Sequence, residues 1–294
     1  MRRATNAVAV AAQQLDEMCT VAARDLDDQT LARIRELIDV TSERSEVDPS
    51  WCVIGMLGGT GAGKSSLVNA LSGGDVVTAG VRRPTTNEAC AVLPRGREPQ
   101  ELLGWLGIGR RVEAPQALPG DTVVVDLPDI DSVEASHAEI TDRLASRVDA
   151  LVVVVNPQKY ADARLHDEWL ARLRSSHASV TVVLTHIDTI SMPERDAIEQ
   201  DLRRLLSERG VAQAEVFAVS STSGEGMRTL IKRLTREAER VSRQASRARA
   251  ALREASRLLR ESLELTGTVR GLETDGLAAQ LAGTAADLAG APII

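Results

Sequence analysis

Residues 58–66, Gly58-Gly59-Thr60-Gly61-Ala62-Gly63-Lys64-Ser65-Ser66, follow the apolar run at 53–57 and lead into the helix-forming run at 67–71. The spacing G-x-x-x-x-G-K-S suits one task, the cradling of a polyphosphate. Glycines at 58, 61 and 63 let the backbone approach the ligand with its N–H groups turned inward. Gly58, Thr60, Gly61, Ala62, Gly63, Lys64, Ser65 and Ser66 are the expected nucleotide contacts. Lys64 can reach the β- and γ-phosphates, the Ser65 hydroxyl can ligate Mg²⁺, and the N-terminus of the following helix adds partial positive charge. A chance glycine-rich turn would lack this order of strand, loop and helix. A nucleoside di- or triphosphate is the expected ligand.

The elements that must hold this loop are legible around it. From residue 51 the chain alternates strand and helix patterns. Apolar runs lie at 53–57, 89–93, 122–127, 150–155, 180–184 and 216–219, and the unbroken valines at 152–155 suit strands buried on both faces. Helical patterns fall near 132–147, 162–176, 194–209 and 224–240. The expectation is a doubly wound α/β domain with a mainly parallel six-stranded sheet, binding its ligand at the carboxyl ends of the strands. Residues 94–120 hold five glycines and four prolines, with a short helix expected near 100–106, and read as an excursion from the core.

Helical arms flank this domain. Residues 1–48 carry an amphipathic pattern, with Leu31, Ile34, Leu37 and Ile38 on one face, and Asp48-Pro49 breaks it. Past the last strand, Ile231, Leu234, Ala238, Val241, Ala245, Ala248, Leu252, Ala255 and Leu259 repeat at three- and four-residue steps, a thin heptad seam. Basic residues flank it, among them Arg236, Arg240, Arg243, Arg247, Arg253, Arg257 and Arg260. They read either as solvated flanks of a helix packed on the N-terminal arm or as a face for acidic lipid or RNA. The domains are expected at 1–48, 49–235 and 236–294.

Composition removes other classes. The 294 residues carry a net charge of −7 and only five aromatics, Trp51, Trp105, Tyr160, Trp169 and Phe217. Neither sequence-specific DNA binding nor a base-stacking platform is expected. Cys19, Cys52 and Cys90 are unclustered, which fits a reducing cytoplasm better than a disulfide framework or a zinc site. His137, His166 and His177 lack metal-ligand spacing. No apolar run approaches the ~18 residues of a membrane span. The ending Ala291-Pro292-Ile293-Ile294 suggests a chain that continues, and a membrane segment beyond it is not decided by the sequence.

With the later boxes added, residues 51–235 resemble the translation-factor-related P-loop GTPases, particularly the Era-like and dynamin-like branches. The resemblance implies the following roles. Thr86, or its neighbour Thr85, in Arg82-Arg83-Pro84-Thr85-Thr86, would join Ser65 on Mg²⁺ and close over the γ-phosphate. Asp126, in Asp126-Leu127-Pro128-Asp129, would hold the metal through a water. Asp129 stands where these GTPases carry glycine; it keeps the backbone N–H but adds a like charge near phosphate. Ile130 stands where many carry the glutamine that orients the attacking water, so slow unassisted hydrolysis is expected, with Lys64, Thr86, Asp126 and Asp129 as the catalytic set.

The box Thr185-His186-Ile187-Asp188 resembles N-K-x-D. A buried Asp188 would accept hydrogen bonds from guanine N1–H and its exocyclic amine, which adenine lacks. Ser220-Ser221-Thr222 resembles S-A-K, with the Ser221 N–H expected on guanine O6. GTP and GDP with Mg²⁺ are thus the expected ligands. Through the arms, a second copy of the chain, another protein, a ribosome or the inner face of a membrane are the partners the resemblance brings into view. A nucleotide-binding scaffold with negligible hydrolysis is the alternative, motivated by Asp129 and Ile130. A P-loop ATPase is a third reading, in which Asp188 is an accident.

Overall fold

The structure, a computed structural model, describes residues 7–24, 26–42, 50–78, 88–129, 140–141, 143–158, 160 and 178–265. Two compact units emerge, one of Trp51–Val241 and one of Met1–Ser50 with Ser242–Ile294.

The first unit is built on seven strands: β1 Cys52–Leu57, β2 Cys90–Leu93, β3 Arg110–Glu113, β4 Thr122–Asp126, β5 Ala150–Val155, β6 Ser179–Leu184 and β7 Glu215–Ala218. Their order is β3-β2-β4-β1-β5-β6-β7. Pairing is parallel except between β2 and β4, where Cys90 lies opposite Asp126. β1 and β4 are buried at every position, as their unbroken apolar runs require. The sheet therefore has one strand more than the six expected. The addition is β3, inside the 94–120 excursion, and its Arg110-Arg111-Val112-Glu113 is largely exposed. An edge strand with solvent on its faces needs no apolar run, so no periodicity marks it.

In the second half of α1 (Ala7–Ala22), and in α2 (Asp28–Ser42), apolar positions turn inward. Asp27 accepts the Thr30 N–H at 2.9 Å and so caps the start of α2. Around the sheet stand α3 (Lys64–Ser72), α4 (Gln100–Leu106) and α5 (Met192–Glu208), the last opened by a Ser191–Glu194 capping box. The expected short helix at 100–106 is α4. Of the helix expected over 132–147, the described residues 140–141 and 143–145 are helical, and the one expected over 162–176 lies outside the described residues.

The last helix, α6 (Met227–Leu265), runs without a break from one unit into the other. Its seam residues Leu234, Ala238, Val241, Ala245, Leu252, Ala255 and Leu259 are buried, whereas Ile231, expected among them, is 37% exposed. The N-terminal part joins the sheet core with Ile54, Met56, Leu67, Val124 and Val152. Beyond it, Leu252, Ala255, Leu259 and Leu263 form a second core with Leu15, Cys19, Ile34 and Leu37. Glu237 of α6 is buried and takes hydrogen bonds from Arg233 at 3.0 Å and Arg240 Nε at 2.8 Å, while Arg233 also pairs with Glu215 of β7. All three cysteines are free and buried.

Candidate functional site

At its carboxyl end, β1 opens into the loop 58–63, and α3 begins at Lys64. The loop's curvature needs glycine. Gly63 has φ +92°, and a Cβ there would meet His186 Cε1 at 2.9 Å; a Cβ on Gly58 would strike the Val154 carbonyl at 2.6 Å. Ala62 N–H donates to the Gly59 carbonyl at 3.0 Å and Leu67 N–H to Gly63 at 2.9 Å, closing the turn onto the helix. Ser66 is exposed on the first turn of α3.

Two side chains from neighbouring strand ends hold this loop by its carbonyls. Thr185, just past β6, donates its hydroxyl to the Ala62 carbonyl at 2.6 Å. Asn156, just past β5, donates Nδ2 to the Gly61 carbonyl at 3.1 Å, and its Oδ1 accepts the Gln158 N–H. Asn156 escaped the sequence reading because a lone asparagine after a strand also reads as a turn residue. Asn69 escaped it too: its side chain accepts the Val76 and Val77 N–H groups and donates to the Val77 carbonyl, pinning the turn that follows α3.

Lys64, 4% exposed, bonds the Gly58 carbonyl at 2.9 Å, approaches Gly59 at 3.5 Å and forms an ion pair with Asp129. The sequence had flagged Asp129 as a like charge near phosphate; here its carboxylate is the lysine's partner. Ser65 Oγ donates to Asp126 Oδ2 at 3.3 Å. Asp126 is buried, and its other oxygen, Oδ1, has no hydrogen-bond partner. Burial pushes the Asp126 carboxyl up to about 6, against the opposing pull of Lys64 and Ser65. A buried carboxylate with an orphaned oxygen beside a serine hydroxyl is a donor set that fits a hard divalent cation keeping several waters, as Mg²⁺ does. Ser65 and Asp126 would hold it, and it would neutralise phosphate charge. Thr86 and Thr85 lie outside the described residues, as does Ile130.

On the base side, His186 has φ +54°, the one non-glycine residue with positive φ among those described, and it opens the 3₁₀ turn Ile187–Thr189. Its Nδ1 lies 2.9 Å from Thr185 Oγ1. The turn exposes Asp188, correcting the expectation of a buried carboxylate. A hydrogen bond from Ser220 holds its carboxyl below the usual range, helped by its own backbone and by His186. Ser220 is fully buried, and its Oγ also accepts the Thr222 and Ser223 N–H groups at 3.2 and 3.0 Å. One hydroxyl thus organises the turn 220–223 and braces Asp188.

This site, with its phosphate loop at the end of the central strand and a carboxylate braced two strands away, defines a P-loop nucleotide-binding domain. Residues 53–186 match the family model for the 50S ribosome-binding GTPase, so this stretch of the chain is similar to that GTPase domain. The selenocysteine-specific elongation factor of Escherichia coli (strain K12) is 33% identical over 91 residues, 31% of this chain and 14% of that protein. Two structures of an oligomerised bacterial dynamin pair share the fold. One has a TM-score of 0.52 at 18% identity, covering 94% of this chain and 58% of that one. The other has 0.54 at 16%, covering 97% and 50%. The chain thus spans about half the length of these structures and a seventh of the curated relative.

Proposed function

We propose that the chain binds GTP and GDP with Mg²⁺ and hydrolyses GTP slowly, acting as a switch whose nucleotide state is passed along α6 to the helical unit. The observation that carries this reading is Asp188, an exposed carboxylate braced by Ser220 and standing in the loop after β6. So placed, it can accept both hydrogen bonds that guanine offers. Being exposed, it discriminates through the bonds it makes rather than through burial of an unpaired charge. In this reading Lys64 and the loop amides take up phosphate charge, Ser65, Thr86 and Asp126 serve the metal, and Asp129 lies beside the transferred phosphate. Thr60 and Ser66 line the phosphates, while His186, Ser221 and Thr222 face the base.

The test is calorimetric titration of the nucleotide-free protein with GDP and ADP in Mg²⁺, repeated on Asp188→Asn. Tight GDP binding, weak ADP binding and loss of that preference in the variant are expected. Equal binding of both nucleotides, untouched by the substitution, would reduce the box to a strand cap.

A second reading, a nucleotide-binding scaffold with negligible turnover, is favoured by the ion pair that engages Lys64. Multiple-turnover phosphate release separates the two: turnover that rises with protein concentration supports the switch and a second copy as partner. Contact with a membrane surface through the arms is part of the same proposal. It draws on the fold shared with a dynamin pair described as sensing and tethering membranes. No helix among the described residues is long and apolar enough to cross a membrane, and the proposed place of action is the cytoplasm or the inner membrane face.

A further inference from the structure

Lys64 is the one residue of the phosphate loop that carries full positive charge, and its three N–H donors meet three acceptors of the protein itself. Two are the Gly58 and Gly59 carbonyls, the second at a long 3.5 Å; the third is the Asp129 carboxylate. Lysine and aspartate are 4% and 13% exposed, so water can replace little of what each gives the other. The pair joins the first residue of α3 to the third residue past β4. We propose that Asp129 is an internal competitor for the phosphate site: it occupies Lys64 in place of a polyphosphate and must be displaced by one. The inference rests on the reading of residues 58–66 as a phosphate loop and deepens it.

Three consequences follow from the charges. A polyphosphate approaching the closed loop meets a neutralised lysine with Asp126 close by, not a free cation. Apparent affinity is lowered by the fraction of molecules in which the pair is formed. Once phosphate takes the lysine, Asp129 is left as an unpaired anion beside the phosphate, and like-charge repulsion favours turning its carboxylate away. Phosphate occupancy is thereby converted, by charge competition, into a displacement of the Asp129 carboxylate just after β4. The glycine found at this place in the resembling GTPases has no side chain with which to compete.

The experiment titrates the full chain, nucleotide-free and in Mg²⁺, with inorganic tripolyphosphate and separately with GDP and with ADP. Wild type is compared with Asp129→Asn and with Asp129→Gly. Both variants should bind tripolyphosphate and GDP about ten- to a hundredfold more tightly, the range for a competing state populated at 90–99%. Unchanged or weaker binding by folded variants would overturn the proposal. So would the failure of both to fold, which would make the pair a fixed part of the structure. Failure of every form to bind tripolyphosphate would remove the phosphate-loop reading itself. Tighter tripolyphosphate binding without any preference for GDP over ADP would keep the competitor and remove the guanine reading.

Discussion

Thr185 occupies the position at which the resembling N-K-x-D box has asparagine, and it spends its one hydroxyl proton on the phosphate loop. Replacing it by valine keeps the shape and removes the donor, leaving the Ala62 carbonyl without this partner. A net hydrogen bond is worth about 1 kcal/mol. Thr185→Val is therefore expected to weaken GDP binding about fivefold in calorimetry with little change in melting temperature, and undiminished affinity would show that the tie does not position the loop. At this scale the sequence disclosed residue types and missed pairings. Lys64, Ser65 and Asp126 were legible because phosphate and metal chemistry dictate them. The Lys64–Asp129 pair was not, since the two residues lie 65 positions apart and only the fold brings them together. Asn156 was missed for the related reason that its role depends on which loop lies opposite.

Elements were legible where burial imposes a period. β1, β4 and β5 announce themselves as apolar runs, and α4 by its placement between Pro99 and Gly107. β3 was silent because its residues face water, and the edge of the sheet was misjudged by that one strand. α6 displays a different kind of element-level design in Glu237. Burial alone would raise its pKa, but the hydrogen bonds from Arg240 and Arg233 outweigh burial and hold it below the ordinary 4.5. A carboxyl whose folded pKa is depressed adds stability above its unfolded pKa and loses it as pH falls through the folded one. Glu237→Gln removes the charge and leaves two arginines without their shared partner. It should lower stability at pH 7 by about 1–3 kcal/mol, and the gap from wild type should narrow below about pH 4.5, where wild type itself begins to lose this stabilisation. Chemical denaturation across that range checks both, and a gap independent of pH would mean that charge is not what Glu237 supplies.

The molecule as a whole has two cores strung on one chain, the sheet core around Ile54 and Val124 and the helical core around Leu15, Ile34 and Leu259. The sequence pointed to both through its change from strand alternation to a heptad seam, and side-chain patterns of that length are hard to mistake. Each core also encloses sulfur. Cys19 lies in the helical core, while Cys52 and Cys90 lie in the sheet core. Burial, with Asp16 nearby, pushes the Cys19 thiol up to about 11, and burial raises Cys90 as well. A protonated, enclosed thiol reacts with an alkylating reagent only when its surroundings open. The three cysteines are therefore native clocks for local opening, one in the helical unit and two in the nucleotide unit, needing no engineered label. At GDP one hundred times its Kd, alkylation of Cys52 and Cys90 should slow about a hundredfold if opening empties the site, with Cys19 keeping its pace. Mass spectrometry of the labelled peptides would read all three at once, and an equal slowing of Cys19 would mean that the two cores breathe together.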